Sequence, residues 1–386
     1  MKVAFYTLLH KTISLLFPIK NKKLLFSSFL GVSYSDNPRA ISEKIHEIDP
    51  NWEIVWVFKN KKKKNKILPS YIKCTKTNSL SFFYHQATSK FWVDNFCLPR
   101  ETRKRKGQYY IQLWHGDRAM KKILCDASTR YDENELFETH HCDLVVSGSK
   151  FFEDICHSAF RYYGEILKVG CPRNDIIISG DVRIADSLRK LYGIPKNVKV
   201  LLYAPTFRDN NPNDYQTVED VDFNKVLDHL REKTQQEWII LLRGHSGRRI
   251  AVDDSIKAKT INVSDYEDAR HIMLITDALI TDYSSIAGDY ALAAKPIFLF
   301  VNDYKEYTEN SRELYFDIFK SPYWVAKNQD ELLDLIDNCT EDKAKDNCKK
   351  ILDFYQTYET GKASEEVCKF IIQHSAEHTE NSGTAS

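Results

Sequence analysis

Residues Leu279 to Asp303 read LITDYSSIAGDYALAAKPIFLFVND. Leu279 and Ile280 close a short apolar strand. Thr281, Asp282, Tyr283, Ser284 and Ser285 supply turn, cap and hydroxyl donors, a helix is expected over 283–293, and KPIFLF (295–300) is a second apolar strand. Strand, hydroxyl-rich turn, helix, strand is the grammar of a parallel α/β sheet. The start of such a helix gathers unpaired N–H groups and partial positive charge, which suit an anion. The same residues also suit an ordinary N-cap, so the decision falls to other motifs.

Working outward, the same alternation fills the chain. LLFSSF (24–29), EIVWVF (53–58), KFWVDN (90–95), YYIQLWH (109–115) and DLVVSG (143–148) are predicted strands, with helices at 38–48, 79–89 and 150–161. After Pro195 a second set begins: KVLLYAP (199–205), EWIILLRG (237–244), KTINV (259–263) and DALIT (277–281), with helices at 222–235, 266–274, 329–339 and 343–373. The 386 residues are long enough for two domains with separate cores. Without a Pro/Gly linker, the halves are expected to sit close across a cleft. The expected divisions are 1–20, 21–195, 196–374 and a mobile polar tail at 375–386.

The net charge of +1 conceals an asymmetry: residues 1 to 110 hold 21 Lys plus Arg against 7 Asp plus Glu, a net of +14, and the remainder carries −13. Lys61 to Lys64 form one basic run, and Arg100, Arg103, Lys104, Arg105 and Lys106 another. Such a face meets polyanions. The chain has no Cys/His finger and no RNA-recognition signature, so an anionic membrane surface, not nucleic acid, is the expected partner. Phe5, Leu9, Ile13 and Leu16 recur at helical spacing in the first twenty residues, with Lys2, Lys11 and Lys20 around them. The segment is too short and too interrupted to span a bilayer, which leaves an interfacial anchor or a helix packed on the domain. The nine scattered cysteines lack a C-x-x-C pair and are read as reduced thiols of a cytoplasmic protein.

Candidate chemistry lies at strand ends, where open α/β sheets bind ligands. Gln112-Leu113-Trp114-His115-Gly116-Asp117-Arg118 delivers one histidine. Leu241-Leu242-Arg243-Gly244-His245 delivers a second beside a guanidinium suited to phosphate. Tyr203-Ala204-Pro205-Thr206-Phe207-Arg208-Asp209 ends a third strand with hydroxyl and guanidinium groups. With TDYSS they make four such sites. A formal D-x-D at Asp220 and Asp222 precedes a helix with no strand delivering it, and no metal site is expected.

These blocks resemble a known family. QLWHGDRAMKK is similar to the W-H-G segment of the CDP-glycerol glycerophosphotransferases that build teichoic acids and related capsule polymers. FSSFLGVSYSDNPRAI (26–41), VSGSKFFEDICHSAF (146–160), GCPRND (170–175), YAPTFRD, LLRGHS, TDYSS, VNDYKEY (301–307) and RELYFD (312–317) follow that family's order. The resemblance implies a GT-B-like α/β fold of two Rossmann-like domains facing each other across a cleft. It further implies a CDP-alcohol donor on the C-terminal half and an acceptor entering the N-terminal half from the membrane side. The W-H-G segment usually continues with Thr and Pro, where this chain has Asp117 and Arg118; the second histidine is usually followed by Pro, where Ser246 stands. The chain resembles the short members, without a long N-terminal extension.

The chemistry so implied is attack of an acceptor hydroxyl on the glycerol-linked phosphorus of CDP-glycerol, with CMP leaving. His115 is the expected general base, an imidazole being suited to proton removal at neutral pH. His245 with Arg243 is expected to stabilise charge on the pyrophosphate. Thr281, Ser284 and Ser285 are expected to donate to the phosphates, with Thr206 and Arg208 as weaker candidates, and Asp282 to cap or orient. No cofactor is required. The acceptor is expected to be a polyprenyl-pyrophosphate-linked or polymer chain, and the enzyme peripheral on the inner membrane face. A CDP-ribitol phosphotransferase, a nucleotide-sugar glycosyltransferase of the same fold, and a degenerate membrane-bound scaffold are the alternatives.

Overall fold

Short apolar runs alternating with polar helices fold here into parallel sheets. The computed structural model describes residues 2–60, 68–96, 104–127, 141–206, 215–217, 221–244, 249–251 and 254–376. The chain forms two compact units: Met1–Asp117 with Ser128–Asp175 and Tyr358–Ser386, and Arg118–Ala127 with Ile176–Thr357. The exchange is thus not a single cut near residue 195.

In the first unit, β1 (Lys20–Ser27), β2 (Glu53–Phe58), β3 (Lys73–Lys76), β4 (Ser89–Asp94), β5 (Tyr109–Gln112), β6 (Leu144–Ser147) and β7 (Glu165–Lys168) form one sheet. Their order is β3-β2-β1-β4-β5-β6-β7, and all pairs are parallel. Alternate residues of β1 serve opposite faces. Leu24 and Phe26 join a large core with Ile41, Ile45, Trp56 and Phe91, while Leu25 joins a small one with Val55, Val57, Trp92 and Tyr110. β3 and β7 escaped the sequence reading because they are four-residue edge strands, partly exposed and flanked by charged residues.

The second unit contains β8 (Lys199–Tyr203), β9 (Tyr215–Thr217), β10 (Trp238–Leu242), β11 (Arg249–Ala251), β12 (Thr260–Asn262), β13 (Ala278–Thr281), β14 (Ile297–Phe300) and β15 (Trp324–Ala326). Six form a parallel sheet in the order β12-β10-β8-β13-β14-β15, and β9 pairs with β11 separately. Both large sheets run outward in both directions from their first strand, so each has a topological switch point: between β1 and β4 in the first unit, between β8 and β13 in the second. Ligands of doubly wound sheets bind beyond the strand ends at such points.

The single helix expected over 343–373 is two, Glu341–Tyr355 and Ala363–Ala376. Gln356 ends the first in a left-handed conformation, φ 49°. The second places Val367, Cys368, Phe370 and Ile371 in the core of the first unit.

A helix does occupy Lys2–Leu16. The expected stripe holds only in part: Leu9 and Ile13 are half-buried, whereas Leu16 is 68% exposed beside Leu15 at 87%. Arg105, from the second basic run, ties down the helix end through Nη2 to Ser14 O at 2.8 Å and Nη1 to Phe17 O at 2.9 Å. Lys61–Lys64, Arg100 and Arg103 lie outside the described residues.

Candidate functional site

The first unit's candidate site begins where β5 ends. Gln112 is its last residue, and its side-chain Oε1 accepts the Trp114 N–H at 2.8 Å, turning the chain out of the sheet. Trp114 is left-handed at φ 45°, a costly conformation for a bulky residue. Its carbonyl and that of Leu113 both accept from Asn37 Nδ2, at 3.0 and 3.2 Å.

His115, next in line, sets Nδ1 2.7 Å from the carbonyl oxygen of Asn95, just beyond β4. A carbonyl offers only lone pairs, so Nδ1 carries the hydrogen and the basic lone pair of the neutral ring lies on Nε2. The ring stacks on Phe96 at 5.2 Å, with Phe29 edge-on at 5.3 Å and Trp114 at 4.3 Å. Aromatic neighbours together with the polar tether to Asn95 fix the imidazole plane.

The tether is itself held. Asn95 Oδ1 accepts the Phe29 N–H at 2.9 Å, and its Nδ2 donates to Asp36 Oδ1 at 3.0 Å. Asp36, left-handed at φ 66°, forms a fully buried ion pair with Arg173 at 3.2 Å, and the Arg173 N–H donates to Asn37 Oδ1. Phe29, Leu30, Asp36 and Trp114 all have positive φ, so backbone strain concentrates around His115, as it does at functional sites. Asp117, two residues on, accepts from Ser149 Oγ at 2.6 Å and Gly148 N at 2.7 Å. Gly148 must be glycine, since a Cβ there would lie 2.7 Å from Cys171 Sγ.

The second unit's candidate site sits at the switch point between β8 and β13. Thr281 Oγ1 donates to Ala204 O at 2.6 Å, and both carboxylate oxygens of Asp282 accept the Thr206 N–H, at 2.8 and 2.9 Å. These bonds stitch the loop after one strand to the turn after the other. Asp282 therefore orients the loop after β8. Tyr283 stacks on Tyr307 at 3.9 Å and donates to Asp303 at 3.0 Å.

Ser284 and Ser285 stay half-buried. The expected helix over 283–293 is shorter, an α-turn at Ile286–Tyr290 followed by a 3-10 turn at Ala291–Ala293. Ser285 already has helical φ and its hydroxyl makes no cap. Beneath them, Arg118 Nη2 pairs with Asp289 Oδ1 at 2.7 Å in full burial, and a Cβ on Gly288 would meet Arg118 Cβ at 2.6 Å.

Arg243 follows β10, the neighbour of β8, and its Nη1 donates to Val263 O and Tyr266 O at 3.2 and 2.8 Å. Burial and the nearby Arg270 charge pull its pKa down to about 10, so it remains a cation at neutral pH. His245 and Arg208 lie outside the described residues, as does Asp220. Asp222 caps the helix Phe223–Thr234 through the Lys225 N–H. Among the described residues no cluster of three or more His, Cys, Asp or Glu side chains is arranged to hold a metal.

Sequence reasoning missed Asp36, Asn37, Asn95 and Arg173, which support His115, and the Arg118–Asp289 pair. Their signal was a run of small polar residues just past each apolar strand, in SDNP, VDNF and CPRND.

A model of the CDP-Glycerol:Poly(glycerophosphate) glycerophosphotransferase family matches residues 9–373. The chain is 31% identical to a teichoic acid poly(glycerol phosphate) polymerase of Bacillus spizizenii, over 96% of each protein. It is 31% identical to a teichoic acid glycerol-phosphate transferase of Staphylococcus aureus, over 95% of this chain and 97% of that one. A Staphylococcus epidermidis poly(glycerol phosphate) polymerase is 33% identical over 90% of this chain, which spans 50% of that longer protein. The solved wall teichoic acid polymerase TagF superposes with a TM-score of 0.83 at 28% identity, over 98% of this chain and 94% of that chain. The chain, with its two Rossmann-like parallel sheets of GT-B type, belongs to the CDP-glycerol:poly(glycerophosphate) glycerophosphotransferase family.

Proposed function

We propose that the protein transfers glycerol phosphate from CDP-glycerol to a hydroxyl of a membrane-linked glycan or polyol-phosphate acceptor, releasing CMP, in teichoic acid or capsule polymer synthesis. The observation that carries this reading is the tautomer of His115: with Nδ1–H donated to Asn95 O, the lone pair of the neutral ring is on Nε2, which makes Nε2 the basic nitrogen for a hydroxyl proton. The acceptor oxygen, losing that proton to Nε2, attacks the phosphorus that bears glycerol. A new O–P bond forms, the bond from that phosphorus to the bridging oxygen breaks, and CMP leaves as the anion.

In this reading Ser284 and Ser285 donate to the diphosphate, Arg243 and His245 neutralise its charge, and Thr281, Thr206 and Asp282 hold the loop that presents them; Arg208 is assigned to the same anion. Relatives named for glycerol phosphate are 30–33% identical to this chain, and those named for ribitol phosphate 25–28%. That gradient favours glycerol as the transferred alcohol. A TagF crystal was soaked with CDPG, which supports the same donor class. Incubation with labelled CDP-glycerol and CDP-ribitol, a synthetic polyprenyl-pyrophosphate disaccharide and mass spectrometry of the product tests the proposal. A product heavier by glycerol phosphate with CMP release supports it; CDP release or no product overturns it.

We assign the protein to the inner membrane face as a peripheral enzyme. No described helix is long and apolar enough to cross a membrane. The exposed Leu15, Leu16 and Phe17 at the end of the first helix, followed by Lys20 and Lys22, supply apolar insertion and attraction to anionic lipid.

A further inference from the structure

Two asparagines flank His115, and both rest on one buried ion pair. Asn95 presents its main-chain oxygen to the imidazole Nδ1 at 2.7 Å. Its side chain is used at both ends: Oδ1 accepts the Phe29 N–H at 2.9 Å, and Nδ2 donates to Asp36 Oδ1 at 3.0 Å. Asn37 works from the other side. Its Nδ2 donates to the carbonyls of Leu113 and Trp114, the two residues that lead into His115, while its Oδ1 accepts the Arg173 N–H at 3.0 Å. Asp36 and Arg173 join the two arms, with Arg173 Nη1 at 3.3 and 3.2 Å from the carboxylate oxygens and each side chain 1% exposed.

Each asparagine donates and accepts at once, a combination that a carboxylate lacks. An aspartate at position 95 could still accept from Phe29, but it would turn a second negative oxygen toward Asp36. The ion pair contributes little as core material, since apolar residues of the same volume often fill a buried site as well; what it supplies here is direction. Direction matters because histidine in water favours hydrogen on Nε2, the tautomer whose Nε2 cannot take a proton. A carbonyl held against Nδ1 reverses that preference.

We propose that Asn95, Asn37 and the Asp36–Arg173 pair are positioning residues for His115. They fix the Asn95 carbonyl on one side and the peptides of Leu113 and Trp114 on the other, so that the imidazole keeps its hydrogen on Nδ1 and its basic lone pair on Nε2. The use of that tautomer in phosphotransfer rests on the function proposed above; the tautomer itself does not.

Proton–nitrogen correlation spectra of the full chain with isotope-labelled histidine rings, recorded at alkaline pH where the imidazoles are neutral, test the proposal, with His115→Gln identifying the His115 signals by their loss. The wild type is expected to carry hydrogen on Nδ1. Asn95→Asp and the milder Asn95→Ser are expected to shift it to Nε2 and to lower kcat about 100-fold, as a misplacement of about 1 Å can, with KM for CDP-glycerol unchanged. Combining Asn95→Asp with Asp36→Asn sets a donor against an acceptor again and should recover part of both effects. Circular dichroism checks each fold, and Asn37→Ser gives the same test from the other side if position 95 tolerates no change. A folded variant whose His115 keeps its hydrogen on Nδ1 overturns the proposal whatever its kcat, as does a wild type with hydrogen on Nε2. A variant in which the hydrogen moves and kcat does not would remove His115 as the base and leave the positioning role standing.

Discussion

His115 Nδ1 lies 2.7 Å from the carbonyl oxygen of Asn95, and that contact decides which ring nitrogen carries the hydrogen and which the basic lone pair. With the imidazole as base, His115→Ala should lower turnover by at least ~100-fold while circular dichroism stays native, and His245→Ala should act comparably. Turnover of the wild type should fall toward acid pH, because a protonated imidazole has no lone pair to offer. A folded His115→Ala protein that turns over near the wild-type rate removes it as the base.

The paired serines are tested by binding. Replacing Ser284 and Ser285 together by Ala should weaken CDP-glycerol affinity by about 1–3 kcal/mol, the usual loss when hydrogen bonds to a charged group are deleted. Calorimetry that finds no change would reduce the serines to turn formers.

Arg118 and Asp289 form a pair with neither side chain open to water. Asp289→Ala strands a buried guanidinium and should cost about 3–5 kcal/mol in urea unfolding, whereas replacing both residues by apolar ones of similar volume should recover most of the loss. If the single variant unfolds at the wild-type urea concentration, the pair is not a structural anchor.

Lys23 gives a pH-dependent prediction. Its side chain is wholly buried, bonded to Thr88 Oγ1 at 2.6 Å, and burial pulls its pKa down to about 8. The unfolded chain, with an ordinary lysine near 10.5, binds more protons between those values, so stability should rise with pH across that window. Lys23→Met should stabilise the protein at pH 7 by about 1–3 kcal/mol, and the difference from wild type should shrink as pH climbs from 8 to 10. A constant difference across that range would mean that Lys23 titrates normally.

The first helix is tested on vesicles. Deleting residues 2–17 should weaken cosedimentation with anionic liposomes, and added salt should weaken the binding of the full chain, each basic residue near the surface contributing about 1 kcal/mol. Equal binding by the truncated protein would make the segment a packed helix only.

How much of this was legible in advance follows from where the signals lie. Leu279–Thr281, Ile297–Phe300 and Glu53–Phe58 are apolar enough that burial leaves them little choice but interior strands, and TDYSS sits at the switch point because it follows one of them. The edge strands Lys73–Lys76 and Glu165–Lys168 carry no such run and owe their existence to a neighbour's free backbone. The support for His115 was illegible for another reason. Asp36, Asn95 and Arg173 are scattered over 137 positions, and only the fold converts that separation into a hydrogen-bonded network. Asp117 and Arg118, which depart from the expected Thr-Pro, each have a buried partner: Asp117 takes Ser149 in one unit and Arg118 takes Asp289 in the other.

The helix Ala363–Ala376 brings Val367 and Ile371 back to the core that Ile41 and Ile45 began. During synthesis the ribosome therefore releases the first unit with an open apolar face, and some 320 residues must emerge before its own closing piece arrives. The second unit, apart from the short Arg118–Ala127 segment, is a continuous stretch from Ile176 to Thr357 and has no such wait. Maturation of the nascent chain should run against sequence order, with the C-terminal sheet settled first and the N-terminal one, exposed longest, the part that chaperones hold.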